Sequence, residues 1–253
     1  MSMRYYFDFN RFLLLLKLEL IRNSRAIAML FVITFGLLFF VGLMLSVMFE
    51  GNVTTYRHHT DYASSLLIGG FVLTSLAFHD LGNPMKRSGY FTLPVSALEK
   101  LICMWLLTSV GWIILFTVVY TCYSYLANPI GQMVFRNVRF EAFDPLSDFV
   151  FSSMQYYFVL QGIFLVGAAH FRGYAFPKTV FVLVVFGMVF VMLFYFLLKD
   201  VFMYEHDCTG MDCELIPEVG GHTVWRIMTF FFWWILAPLC WALAYLGIKE
   251  QEV

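Results

Sequence analysis

Two cysteines late in the chain have the spacing for redox or metal chemistry. Cys208 and Cys213 form a Cys-x4-Cys pair. Four acidic or imidazole side chains flank the pair: His206, Asp207, Asp212 and Glu214. Thiols this close on the oxidising side of a membrane favour a local disulfide, although the surrounding residue types could also ligate a metal ion. The pattern predicts a Cys208–Cys213 disulfide, with free thiols and a metal site as the alternatives.

Three histidine motifs could supply acid–base chemistry. They are His58–His59 with Asp61, His79–Asp80, and His170-x-Arg172. Adjacent histidines rarely point at one ion, so the first motif indicates a solvated loop. The other two lack the matched nucleophile or metal-ligand set that an enzyme site requires. We therefore expect no catalytic residue and no metal site, and the His170–Arg172 turn could instead contact a partner protein.

The elements that carry these residues are strongly apolar. The 253 residues are 61% hydrophobic and only 13% charged, with 30 phenylalanines. Soluble domains are nearer half apolar and a quarter charged, so the composition predicts an integral membrane protein. The net charge of −1 implies no nucleic-acid partner, and the chain has no phosphate-binding Gly-x-x-x-x-Gly-Lys-Ser/Thr motif.

The apolar runs predict an all-α, polytopic fold, a single transmembrane domain over residues 1–253. A membrane-spanning helix needs about 20 apolar residues. Six runs approach or exceed this length: about 26–48, 62–78, 98–126, 148–169, 179–198 and 223–247. The predicted loops include 127–147, with Asn128–Pro129, and His170–Lys178. Ser64, Ser65, Gly69 and Gly70 in the second run would let helix backbones approach closely, and Pro238 predicts a kink in the sixth.

Residues 5–24 predict an N-terminal amphipathic helix. Phe9, Phe12, Leu13, Leu16 and Leu20 share one helical face. Four charged residues gather on the other side: Asp8, Arg11, Glu19 and Arg22. This pattern is typical of a helix in the membrane interface with its charges toward water, and the alternative is a cytoplasmic helix packed on a partner.

No Asp, Glu, Lys or Arg lies in the middle of the six runs. Ion-coupled carriers usually need ionisable groups or broken helices there. Gln155 and Gln161 are the strongest polar groups at that depth. They could line a pathway, although hydrogen bonding between helices is the more ordinary role.

The distribution of Lys and Arg predicts the orientation. With both termini cytoplasmic, inner segments hold eleven of these residues and outer segments five, as the positive-inside rule favours. The inner set is Arg4, Arg11, Lys17, Arg22, Arg25, Lys86, Arg87, Lys100, Arg172, Lys178 and Lys249. The outer set is Arg57, Arg136, Arg139, Lys199 and Arg226.

The cytoplasmic stretch 79–97 and the residues just after it are the most informative part of the sequence. Gly82–Asn83–Pro84 favours a turn, and Leu93–Pro94 an extended backbone. Ser96-x-x-Glu99 matches a capping box, in which each side chain hydrogen-bonds the backbone N–H of the other residue. A helix is therefore predicted to start near Ala97 and to run into the membrane.

This stretch resembles the loop after the second membrane helix in type 2 permeases of ATP-binding-cassette exporters. The matching residues are Asp80–Leu81, Lys86–Arg87 and Tyr90 to Lys100. In that family the loop sits on the ATPase subunit and transmits its movement. The residues that the resemblance assigns to coupling are Asn83, Pro84, Lys86, Arg87, Tyr90, Phe91, Leu93, Pro94, Ser96 and Glu99.

The resemblance implies a permease subunit, not itself an enzyme, of an ATP-driven exporter. Two permease subunits, identical or different, would pair in the lipid bilayer, each on an ATPase chain that binds ATP and Mg²⁺. The expected location is a bacterial inner membrane. The resemblance does not identify the transported substrate. The alternative is a non-transport membrane protein, either an enzyme or an assembly factor.

Overall fold

The structure is a computed structural model, and it describes residues 8–48, 55–56, 58–79, 95–134, 139–171, 173–205 and 226–252. Helices make up nearly all of this part of the chain. In order, the elements are α1 (Phe9–Met48), β1 (Thr55–Tyr56), α2 (His59–Leu76), α3 (Ala97–Leu106), π1 (Leu107–Gly111), α4 (Trp112–Val134), β2 (Arg139–Phe140), α5 (Asp148–His170), α6 (Ala175–Glu205), π2 (Phe231–Ile235) and α7 (Leu236–Glu252). The two strands pair in parallel, Thr55 with Arg139 and Tyr56 with Phe140.

Four helices are long and apolar enough to cross a membrane. They are Ala97–Met133, Asp148–His170, Ala175–Leu193 and Arg226–Glu250. A fifth is added if Phe9–Arg25 and Ile27–Leu37, which meet at a bend of 42°, form one span. The predicted second run forms helix α2, which is not among these candidates because Asp61 and several hydroxyl residues lower its hydropathy. The described residues thus give four to five candidate spans, where the sequence predicts six.

The residues that the N-terminal helix buries differ from those predicted. It is continuous with the first apolar run, and Phe12 and Leu15 pack with Cys103 of α3. Glu19 lies on the same face with 0% of its surface exposed, whereas Leu14 is 69% exposed. The expectation that Glu19 points toward water is therefore wrong, because the helix uses that face to pack on protein.

Two loops are shorter in the structure than the sequence predicts. Helix α4 runs through Asn128 and Pro129 to Val134, so the first part of the predicted loop 127–147 is helical. Pro129 lacks a backbone N–H and so removes one backbone hydrogen bond from the helix, which continues past it. The predicted loop His170–Lys178 shortens to 171–174, with positive φ at Gly173 and Tyr174.

Helix α5 is the centre of the bundle. It packs against α2, α6, α7 and π1. A Cβ atom on Gly69 of α2 would lie 2.8 Å from the Trp112 ring, and one on Gly70 would overlap the Tyr157 ring. The small residues predicted to allow close helix approach in α2 do allow it, and large aromatic rings fill the space that they leave.

Candidate functional site around Glu99

Most of the predicted coupling residues lie outside the described part of the chain. These are Asn83, Pro84, Lys86, Arg87, Tyr90, Phe91, Leu93 and Pro94, and the predicted disulfide partners Cys208 and Cys213 also lie outside it. Ser96 and Glu99 are described, and they stand where the coupling-like stretch enters helix α3. The site is built outward from these two residues.

The predicted capping box is confirmed. The Ser96 backbone N–H donates to Glu99 Oε2 at 2.7 Å, and the Glu99 backbone N–H donates to Ser96 Oγ at 3.2 Å. Ser96 has extended backbone angles, φ −73° and ψ 156°, as a helix N-cap requires. The two reciprocal bonds satisfy N–H groups that the first turn of a helix leaves without partners, so α3 begins at a fixed residue.

Glu99 has a second role, which the capping motif does not reveal. Its Oε1 atom accepts a hydrogen bond from the Asp8 backbone N–H at 2.8 Å, and Arg11 Nη2 lies 3.4 Å from the same atom. Asp8 is itself the residue before α1, and its carboxylate accepts from the Asn10 N–H at 2.9 Å. One carboxylate therefore lies at the N-terminal ends of two helices, α1 and α3, where a negative charge is favoured by both helix dipoles.

The side chains next to Glu99 are buried and well packed. Glu99 is 0% exposed and Lys100 is 1% exposed. One helical turn further on, the Cys103 side chain is also 0% exposed and packs with Phe12 and Leu15 of α1. In such surroundings a hydrogen bond to a charged group is stronger than in water, and an unpaired one costs more. The N-terminal helix is thus attached to α3 by both apolar packing and a buried carboxylate.

A second buried carboxylate lies further along the packed face of α1. Glu19 of α1 accepts hydrogen bonds from the Arg22 guanidinium and, at 3.3 Å, from Asn23 Nδ2. Pairing of this kind is what allows a carboxylate to be buried at all. Glu19 therefore stabilises the packed face of α1 rather than its water-facing side.

A polar network crosses the middle of the bundle. Gln161 of α5 donates through Nε2 to Thr108 Oγ1 of π1 at 2.8 Å, and the Tyr157 hydroxyl donates to the Thr108 carbonyl. Gln161 is 0% exposed, and its Oε1 has no hydrogen-bond partner among the described residues. Of the two roles that the sequence leaves open for Gln161, hydrogen bonding between helices is the one observed. Segments of π-helix often mark functional positions, and here the segment receives both bonds.

Gln155 lies apart from that network. It lines a groove of about 560 Å³ together with Ile113, Phe158 and residues of π2, Trp233 among them. Among the described residues, those that line this groove include no acidic or basic side chain. Its chemistry suits apolar molecules or lipid chains rather than ions.

The first histidine motif is not a solvated loop. His58 is 5% exposed, its Nε2 lies 2.7 Å from Asn128 Oδ1, and its Nδ1 lies 3.3 Å from the Tyr120 hydroxyl. Asn128 also donates to the Glu141 carbonyl at 3.2 Å. The imidazole thus connects α2 to α4, and desolvation lowers the pKa of His58 despite the opposing effects of Asn128 and Asp61. The prediction of a solvated loop is wrong here because Phe143 and Tyr120 cover the ring.

The other two histidine motifs lie partly outside the described residues. His79 is exposed, and Asp80 lies outside the described range. His170 places Nδ1 3.0 Å from the Val166 carbonyl and lies against Gly247 of α7, while Arg172 is not described. Within the described ranges, no group of three or more His, Cys, Asp or Glu side chains could hold a metal ion.

Comparison of the chain with protein-family models, with curated proteins and with solved structures finds no match.

Proposed function

We propose that this chain is the membrane-spanning subunit of an ATP-driven exporter, similar to the type 2 permeases of ATP-binding-cassette systems. The support is the coupling-like stretch 79–97 and the way it ends. Ser96 and Glu99 start α3 at a fixed residue, and α3 continues through π1 and α4 as the longest candidate span, Ala97–Met133. A movement of the stretch would therefore be transmitted directly to a long helix.

The proposed topology has six spans and an interfacial N-terminal helix. The bent helix α1 would supply the interfacial helix and the first span, and α2 the second. Helix α2 is polar for a membrane helix, but it packs against α5 and α6, and protein neighbours can shield such residues from lipid. Leu14 and Ile21 on the exposed side of α1 are 69% and 64% exposed, which suits contact with the bilayer.

In this proposal, ATP binding and the translocation pathway belong to different chains. A separate ATPase would bind ATP and Mg²⁺ and would dock on residues 82–96, with both termini of this chain on the same, cytoplasmic side of a bacterial inner membrane. A second permease subunit would complete the pathway, with Gln155 in its groove as a candidate lining residue. Cys208 and Cys213 would lie on the oxidising face and form a disulfide. No catalytic residue is assigned to this chain.

The first experiment asks whether an ATPase accompanies the chain. The tagged protein, expressed from its own locus, would be purified in mild detergent and photolabelled with 8-azido-ATP. We expect a stoichiometric second polypeptide that takes the label, together with vanadate-sensitive ATP hydrolysis. A chain that purifies without any ATP-binding polypeptide would contradict the proposal and favour a non-transport membrane protein.

A further inference from the structure

The carboxylate of Glu99 receives hydrogen bonds from two parts of the chain that are far apart in sequence. Oε2 accepts from the Ser96 N–H within α3, whereas Oε1 accepts from the Asp8 N–H, 91 residues away. Arg11 adds its guanidinium on the same side, at 3.4 Å. The two oxygens therefore do separate tasks: one caps α3, and the other holds the start of α1.

We propose that Glu99 is a clasp, a positioning residue that fastens the N-terminal helix to the start of α3. With the clasp closed, the segment Phe9–Arg25 and the first turns of α3 move as one body. That this movement serves transport rests on the proposed function. The clasp itself is a statement about packing and charge in this chain alone.

The physical case is the burial of the charge. Glu99 is 0% exposed, so its Oε1 depends on donors from the protein, the Asp8 N–H and the Arg11 guanidinium. If the donors are lost while α1 stays docked, a buried oxygen is left unsatisfied, a penalty that a surface contact would not have; undocking of α1 relieves it by uncovering the carboxylate. The apolar contacts of Phe12 and Leu15 with Cys103 would separate at the same time.

Two substitutions distinguish the clasp from a simple helix cap. Glu99→Gln keeps one oxygen, which can still accept from the Ser96 N–H, but it places an NH₂ group against the Asp8 N–H and the Arg11 guanidinium, which are both donors. Ser96→Ala removes the hydroxyl that accepts from the Glu99 N–H, and it leaves the carboxylate intact. The first variant opens the clasp, while the second weakens only the cap.

Cys103 reports whether the N-terminal helix is docked. Its side chain is 0% exposed and packs with Phe12 and Leu15 of α1, so movement of α1 away from α3 should raise its reactivity toward a small maleimide. The experiment uses the full-length protein in native membranes with Cys103 as its sole cysteine. The background substitutions are Cys122→Ser, Cys208→Ser, Cys213→Ser and Cys240→Ala. The rate of N-ethylmaleimide labelling is measured at one fixed pH.

We expect Glu99→Gln to raise the labelling rate of Cys103 by about tenfold or more, because a hydrogen bond to a charged group is lost from a buried site. Ser96→Ala should change the rate by less than about twofold. An unchanged rate in Glu99→Gln, or an equal rise in Ser96→Ala, would overturn the proposal and leave Glu99 as a helix cap only.

A second variant keeps the test decisive if Glu99→Gln does not fold. Arg11→Glu places a like charge beside the Glu99 carboxylate without touching the capping box, and the Arg11 side chain is 31% exposed. Labelling should rise by a similar factor, and an unchanged rate would also overturn the clasp. The assay needs no nucleotide and no ATPase, so the clasp can fail or hold whether or not the chain belongs to an exporter.

Discussion

His58 shows what burial does to one titratable residue at the end of a helix. Its ring is enclosed by Tyr120 and Phe143. In the neutral form Nε2–H can donate to Asn128 Oδ1, and the Tyr120 hydroxyl lies 3.3 Å from both Nδ1 and the His58 carbonyl oxygen. The charged groups around it act in opposite directions, since Asp61 favours the protonated ring and His59 disfavours it. Desolvation is the largest effect, so the fold favours the neutral imidazole.

The lowered pKa of His58 predicts a loss of stability in acid. The unfolded chain takes up a proton near the ordinary histidine value of 6.5, and the folded chain takes it up only at lower pH. The contribution of His58 is therefore fully present above that value and declines as the pH falls below it. We expect the melting temperature in detergent to fall between about pH 7.5 and about pH 5.5, and to fall less in His58→Gln. His79→Gln, at an exposed histidine, is the control and should keep the wild-type pH dependence; equal curves for all three proteins would contradict the assignment.

At the residue scale, the sequence predicted hydrogen bonds between residues that are close together in the chain. Ser96 and Glu99 are three residues apart, so their capping box followed from spacing. The partners of Glu99 at Asp8 and Arg11, about 90 residues earlier, left no local signal. The burial of Glu19 was hidden for the same reason: helical periodicity identifies a face but not whether lipid, water or protein covers it.

At the element scale, the close contact between α2 and its neighbours depends on two glycines, Gly69 and Gly70. Gly69 faces Trp112, whose indole N–H donates to the Leu66 carbonyl at 3.1 Å. Gly70 faces Tyr157, which is 0% exposed. Backbones that approach this closely gain dispersion contacts over a large area, the main attraction available between helices in lipid.

Gly70→Ala should therefore destabilise the bundle. The new methyl group would overlap the Tyr157 ring, and overpacking of this kind costs about 1–3 kcal/mol. Gly187→Ala in α6 is the matched control, because a Cβ there meets nothing within 4 Å and alanine is the better helix former. Unfolding in a detergent titration would measure both variants. Equal stability of Gly70→Ala and the wild type would show that α2 does not pack on Tyr157 as described.

The apolar runs predicted most helices, but their irregular features were only partly predictable. A hydropathy run says that a helix is long enough, not where its hydrogen bonding changes, so π1 and π2 had no signal of their own. Pro238 lies three residues after the end of π2, and the kink predicted there stays a prediction. Pro129 was predicted to lie in a loop, whereas α4 continues through it to Val134.

At the scale of the whole molecule, the topology prediction depends on the eleven-to-five division of Lys and Arg. If it is correct, Ser88 is cytoplasmic and Asn137 lies outside. In a background without native cysteines, a membrane-impermeant maleimide added to intact cells should label Asn137→Cys and should not label Ser88→Cys until the cells are opened. Labelling of Ser88→Cys from outside would reverse the proposed orientation and remove the coupling stretch from the reach of a cytoplasmic ATPase.

The central claim is that residues 82–96 dock on an ATPase and transmit its movement to α3. Tyr90 and Phe91 are the aromatic anchors expected to dominate such a contact, and the double variant Tyr90→Ala/Phe91→Ala removes both. Tyr195→Ala/Phe196→Ala is the matched control, since it removes the same dipeptide from α6, where the rings are 65% and 56% exposed.

The deciding measurement is the amount of ATPase that co-purifies with each variant and the rate of ATP hydrolysis in the purified complex. We predict that Tyr90→Ala/Phe91→Ala releases the ATPase or uncouples its hydrolysis from the permease, while the control variant matches the wild type and both variants keep the wild-type helix content. Wild-type assembly and wild-type hydrolysis in Tyr90→Ala/Phe91→Ala would contradict the claim and leave the stretch as an ordinary loop.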